Sequence, residues 1–145
     1  NAYISIEDMA VYNAAAAAAT PGKIDLVYLF RAAPTTFTHA LVSPAADAAY
    51  LPGVTLPAGL NRSTKLRKVF NLQDRNLANL QFGIYVDDVD LINVDMVDMP
   101  NYAIGLRAEA GVWVETADKK YRAYIFVNSI NAAGTAVISM LRYTL

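Results

Sequence analysis

The stretch from Gly111 to Thr144 constrains the fold more than any other part of the chain. Gly111-Val-Trp-Val-Glu115 reads as a short strand and Ala117-Asp-Lys-Lys120 as a turn. Tyr121 to Ile130 reads as a second strand, Asn131-Ala-Ala-Gly134 as a loop, and Thr135 to Thr144 as the return strand. Turn residues stand where hairpins need them, so the segment predicts an antiparallel meander. Side chains alternate between the faces of a strand. Tyr124, Phe126 and Ile130 fall on one face of the middle strand, and Ile125 and Val127 on the other. Two apolar faces predict a sheet covered on both sides, or one curled strongly enough to resemble a barrel.

Lys23 to Phe30 has the same character, with Ile24, Leu26, Tyr28 and Phe30 on one face and Val27 and Leu29 on the other. It predicts a central, buried strand, with Asp25 near its entry end. Before it, Ser5 to Ala19 predicts a helix. Ser5 can cap, Glu7 and Asp8 fall in the first turn, and the run Ala14 to Ala19 has high helix propensity. Thr20-Pro21-Gly22 ends it. Residues 34–60 are punctuated by prolines and glycines and read as irregular, with a short strand over Thr36 to Val42 and a helical turn over Ala45 to Tyr50. Asn61 to Leu80 is basic and then amphipathic, compatible with a strand over Lys65 to Phe70 or a short helix after it.

With 145 residues, 55% of them hydrophobic, the chain has the length and the apolar content for one core without a staple. The elements predict a single α+β domain over 1–145. Its expected architecture is a mostly antiparallel, curled β-sheet, barrel- or sandwich-like, with an N-terminal α-helix on one side.

Charge and composition narrow the function. A net charge of -1 gives no global attraction to nucleic acid or to an anionic membrane. No apolar run approaches the length of a transmembrane helix. The opening NAYISIEDMA has no basic or apolar leader character, so a secreted form would already be processed. The chain has no cysteine, which removes disulfides, thiolate nucleophiles and zinc–thiolate sites. Histidine chemistry would have to run through His39 alone. No Gly-x-Ser-x-Gly elbow, Gly-x-Gly-x-x-Gly turn or phosphate-binding loop is present. No cofactor is expected.

Val86 to Pro100 carries five aspartates: Asp87, Asp88, Asp90, Asp95 and Asp98. Counting an EF-hand loop from Asp88 puts Ile92 at position 5 and Asn93 at position 6, and the closing glutamate is missing. A looser cation site could still draw on Asp87, Asp88 and Asp90. The competing reading is alternation: Asp88 and Asp90 on one face of an extended segment, Val89 and Leu91 on the other. On this reading the carboxylates keep one face wet and answer the basic residues between Arg62 and Arg75.

Two further chemistries suit the composition. Trp113, Tyr102 and Tyr121 lie near strand ends, where exposed aromatic rings stack on sugars or anchor protein partners. A pair of carboxylates across a cleft would serve a small hydrolase, although nothing in the sequence selects the pair.

Several of these features, in this order, resemble a group of small secreted or lipid-anchored domains of unknown function common in Bacteroidetes. They are the helix Ser5 to Ala19 before Ile24-Asp-Leu-Val-Tyr28, then Leu41-Val-Ser-Pro44, and the closing Tyr121-Arg-Ala-Tyr-Ile-Phe-Val-Asn-Ser-Ile130. The chain departs from that group at Ala123, where a glycine is usual, and lacks its middle-region tryptophan. The resemblance spans most of the chain but carries no catalytic motif. It implies a periplasmic or cell-surface location and a non-catalytic role in binding or assembly, with a protein or a carbohydrate as partner. The alternatives are a carbohydrate-binding module and the small hydrolase.

Overall fold

The computed structural model describes residues 1–69 and 86–145. The described strands form two antiparallel sheets. The strands are β1 (Ala2–Ser5), β2 (Ala10–Tyr12), β3 (Leu26–Arg31), β4 (Thr38–Val42), β5 (Lys65–Val69), β6 (Tyr102–Leu106), β7 (Gly111–Glu115), β8 (Tyr121–Ile130) and β9 (Ala136–Thr144). One sheet has the order β2-β1-β3-β4-β6 and the other β5-β7-β8-β9. Among the described residues two short α-helices accompany them, α1 (Ala14–Ala19) and α2 (Asp88–Asn93).

The predicted meander is the second sheet's β7-β8-β9, to which β5 adds on the far side. Lys65–Val69 takes the strand alternative, and the helix alternative at 71–80 lies outside the described residues. Among the described strands both sheets are open, each with two edges. The expectation of one curled α+β sheet is thereby corrected. Faces apolar on both sides arise because each sheet is covered twice, not because one sheet curls on itself. Between the sheets, Ile4, Leu26 and Leu41 meet Leu66, Val112, Val114 and Ile125. On the first sheet's outer face, Val27, Leu29 and Val42 pack with Ala17 of α1 and with Leu60, Leu56 and Val54 from the long connection after β4. On the second sheet's outer face, Trp113, Tyr124 and Phe126 pack under Leu91 of α2 and Met96.

The predicted N-terminal helix is also overturned. Tyr3 and Ile4 are both buried, one on each face of the first sheet, so residues 2–5 run as a strand between β2 and β3. Ser5 does cap, but it caps a tight turn: its Oγ accepts the Asp8 amide at 3.1 Å. Helix is confined to the six alanines, which Asn13 caps through the Ala16 amide at 2.9 Å. So short a helix is marginal alone, and tertiary strand pairing overrides the propensity upstream of it.

After β4 the chain alternates between sheets, with β5 in the second, β6 in the first and β7 in the second. A buried polar group secures this crossing. Asp25, just before β3, has no solvent exposure. Its Oδ2 accepts the Ile6 amide at 2.8 Å and its Oδ1 accepts Arg62 Nη1 at 2.7 Å. Arg62 Nη2 reaches Asp118 in the β7–β8 turn at 3.3 Å. Burial holds the Asp25 carboxyl above the usual carboxylate range, opposed by the Ile6 amide and Arg62. Ser43 Oγ, also buried, donates to the Arg62 carbonyl at 2.5 Å and accepts the Thr64 amide at 3.0 Å.

Gly111 shows how tightly the second sheet is built. A Cβ there would lie 2.0 Å from the Tyr124 hydroxyl oxygen, so the Tyr124 side chain occupies the space that any other residue would fill.

Candidate functional site

A cleft of about 670 Å³ opens where the ends of both sheets meet, and six of the described segments build it. Phe30 comes from β3, Thr35 and Thr36 from the β3–β4 connection, and Thr38 and His39 from β4. Lys68 lies on β5, Gly105 and Leu106 end β6 with Arg107 following, and Ile130, Asn131 and Ala132 come from the β8–β9 hairpin.

Two glycines set its walls. Gly105 has φ +66°, a left-handed conformation that favours glycine. A Cβ there would stand 3.0 Å from the Thr36 carbonyl oxygen, and the Gly105 amide donates to the Phe37 carbonyl at 2.7 Å. The threonine-rich connection is thus held against β6. Gly134, with φ +95°, lets the hairpin loop close onto the Phe30 ring, which a Cβ would meet at 2.7 Å. Asn131 shapes that loop, its Oδ1 accepting the amides of Ala133 at 3.0 Å and Thr135 at 2.9 Å.

His39 joins the two sheets here. Its Nδ1 lies 2.5 Å from the Tyr28 hydroxyl oxygen, which is also 3.1 Å from the Gly134 carbonyl oxygen. The Phe30 ring centroid is 4.8 Å away. Burial pushes the His39 pKa below its usual value, opposed by a hydrogen bond with the Asn131 backbone. The imidazole is therefore neutral at pH 7. Ser43 and Asp47, its nearest sequence candidates for a triad, are engaged elsewhere: Ser43 with Arg62 and Thr64, and Asp47 with the Ala49 amide at 2.9 Å. Lys68 Nζ donates to the Ile104 carbonyl at 2.6 Å. Partial withdrawal from water, and secondly the charge of Arg107, hold its pKa below the usual lysine range.

The residues singled out by sequence lie elsewhere. Trp113 is 7% exposed, with its ring centroid 4.7 Å from that of Tyr124 on the second sheet's outer face. Tyr102 stacks on Tyr50 at 3.6 Å on the first sheet's outer face. Tyr121 packs against the layer between the sheets, beneath the Arg142 guanidinium at 5.0 Å. The three belong to three separate clusters, so they form no common platform.

The aspartate run is helical where alternation predicts an extended segment. Asp87 Oδ1 accepts the amides of Val89 at 2.9 Å and Asp90 at 3.2 Å, and Asp90 Oδ2 accepts the Asp87 amide at 3.0 Å. This is a reciprocal capping box. Asp88 is exposed on the first turn. Among the described residues no three His, Cys, Asp or Glu side chains are placed to hold a metal ion. Arg67 does reach this segment, but its partner is the Asp95 carbonyl at 3.2 Å and not a carboxylate. Arg122 Nη1 holds the other end of α2 through the carbonyls of Leu91 at 3.1 Å and Ile92 at 2.6 Å, while its Nε bonds Glu115 at 3.0 Å. Asp87→Ala is expected to lower stability by about 1 kcal/mol, the usual loss of a helix cap, in urea denaturation. An unchanged midpoint would show that α2 needs no cap.

Among the described residues, no helix is long and apolar enough to cross a membrane. The family described as Domain of unknown function (DUF8576) matches residues 1–145. The chain is also similar to a DUF4466 family protein from Parabacteroides merdae ATCC 43184, known from a crystal structure, at 38% identity and a TM-score of 0.83. The match covers 99% of this chain and 50% of that one, so the chain spans half the length of its solved relative. No curated protein matches. Both similarities are to domains of unknown function, and the solved relative is from the Bacteroidetes, as the coarser part of the sequence resemblance implies.

Proposed function

We propose that this chain, which belongs to the family of domains of unknown function DUF8576, is a non-catalytic binding module of the cell envelope whose ligand sits in the cleft between the sheet ends. The cleft itself carries the reading. It is concave, of a volume suited to a small molecule, and lined by an apolar floor with a few convergent polar groups. Its residues come from rigid strand ends and two short connections, which suits recognition of a fixed shape. Among the described residues that line it there is no carboxylate, so no described pair there supports the paired-carboxylate hydrolase. The sugar-stacking alternative through Trp113, Tyr102 and Tyr121 has lost its geometric basis, because those rings are apart.

Two measurements test the proposal. Fractionation of the producing cells should recover the protein with the envelope; recovery in the cytosolic fraction would refute that part. Small molecules extracted from the envelope should shift the amide resonances of Gly105 and Asn131 and be released chemically unchanged. Conversion of the bound molecule to a product would overturn the non-catalytic reading.

A further inference from the structure

We propose that the His39–Tyr28 junction is a proton-binding site, and that taking up one proton fastens the β8–β9 hairpin onto the first sheet. Ile130, Asn131 and Ala132 of that hairpin line the cleft, so the proton sets how firmly one cleft wall is held. The device belongs to the wall and works in the same way whether the cleft is empty or filled.

Three contacts cross this junction. His39 Nδ1 faces the Tyr28 hydroxyl oxygen at 2.5 Å, and that oxygen faces the Gly134 carbonyl oxygen at 3.1 Å. The third joins the imidazole to the Asn131 backbone. The Asn131 amide is already given to the Thr135 carbonyl at 3.0 Å, so it is the Asn131 carbonyl that accepts from the ring, through Nε2. Each contact needs one proton, and a neutral imidazole and a phenol bring two. With the ring proton on Nε2, Tyr28 donates to Nδ1, and the Gly134 carbonyl faces a bare phenol oxygen. With the ring proton on Nδ1, the Asn131 carbonyl faces a bare nitrogen. The first neutral form is the better one, since a phenol is a stronger acid than a neutral imidazole and donates more readily. An imidazolium brings the missing proton and fills all three contacts. Nε2 then donates to Asn131, Nδ1 to Tyr28, and Tyr28 to Gly134. The phenol reverses its direction when His39 gains charge.

The surroundings set where this happens. Among the described residues, β3 brings Tyr28 and, farther along, Arg31, which is turned to the Pro52 carbonyl at 3.1 Å. β5 brings Lys68 and the end of β6 brings Arg107, both in the lining of the same cleft. Residues 131–135 of the hairpin carry no titratable side chain. Burial raises the Tyr28 pKa, so the phenol keeps its proton throughout. Burial also disfavours a charge on His39 more than the Asn131 carbonyl favours it, so uptake falls below the ordinary histidine value of 6.5. For the whole fold the effect has the opposite sign. With the folded pKa depressed, the unfolded chain binds the proton first, and stability present above 6.5 is lost as pH falls toward the folded pKa. Acid should therefore weaken the fold while it fastens the hairpin within it. A histidine that merely filled space would loosen both.

The test is NMR of the isotopically labelled full chain between about pH 8 and about pH 5, where His39 is the single histidine to titrate. Above the midpoint the ring should carry its proton on Nε2, and below it on both nitrogens. The Gly134 carbonyl carbon should shift downfield with the same midpoint, as its oxygen gains a donor. Exchange of the Asn131 and Gly134 amides, corrected for the intrinsic effect of pH, should slow about five-fold across that midpoint, the worth of one hydrogen bond. Tyr28→Phe should leave His39 titrating and remove the Gly134 response, with the dispersion of its spectrum reporting its fold. Any of four outcomes would overturn the proposal. They are a neutral ring protonated on Nδ1, a ring that stays singly protonated until the chain unfolds, and amide exchange that speeds up in acid. The fourth is a Gly134 carbon that does not follow His39 in the parent, or follows it equally in Tyr28→Phe.

Discussion

Arg62→Met is expected to destabilise the fold by about 3–5 kcal/mol at pH 7, the usual loss when one member of a buried ion pair is removed. The partner left behind is Asp25, which has no solvent exposure and would keep only the Ile6 amide on its other oxygen. Arg62 also links Asp25 to Asp118, so the variant loses a connection between the start of β3 and the β7–β8 turn. The loss should depend on pH in a defined direction. Asp25 already has a folded-state pKa above its ordinary value, because burial outweighs its two donors. Such a group is protonated in the folded chain before the unfolded chain follows, so its contribution is full at low pH and is lost as pH rises through the folded pKa. Without Arg62 that pKa rises further. The deficit of the variant should therefore shrink as pH falls from 7 toward the carboxylate range. Urea denaturation at several pH values measures both effects. A deficit below about 1 kcal/mol that does not change with pH would mean that the pair contributes as little as a surface bridge.

Trp113→Ala should cost a similar amount, about 3–5 kcal/mol, as the truncation of a large buried aromatic does. Trp113 is 7% exposed and packs on Tyr124 beneath α2. Removing the indole leaves a cavity between a sheet face and a helix of only six residues, which can collapse only in part. Trp113→Phe should cost clearly less, because it keeps a ring in the same place. Thermal and chemical denaturation of the two variants check this. If Trp113→Ala melted at the parent temperature, the packing of the indole under α2 would contribute nothing to stability.

These two residues also show where the sequence was informative. The β7–β9 meander could be read because period two and local turn residues agree over the whole stretch, and Trp113 sits within it. Asp25 could be placed at a strand entry, yet its partner Arg62 is far along the chain and nothing local announces the pairing. The N-terminal hairpin was hidden because helix propensity in the alanine run is a local signal, whereas Tyr3 and Ile4 are held by non-local pairing with β3. The aspartate run contained two patterns. Alternation at 88–91 competed with Asp87-x-x-Asp90 ahead of Leu91 and Ile92, a capping-box spacing with aspartate in place of glutamate. The second pattern matches the structure. The cleft was not legible, since its described residues come from six segments brought together only by the strand order. The one available signal was the cluster Thr35-Thr-Phe-Thr-His39 in a long connection, where function often concentrates.

The space that Tyr124 occupies above Gly111 ties two positions of the chain into a single evolutionary choice. A Cβ at 111 would fall 2.0 Å from the tyrosine oxygen and 2.6 Å from the ring carbon that bears it, so removing the hydroxyl alone does not make enough room. A lineage of this fold that acquires a side chain at 111 has to exchange the tyrosine at 124 for something smaller. The dependence runs one way: 124 can shrink while 111 stays glycine, but 111 cannot gain a side chain before 124 has changed.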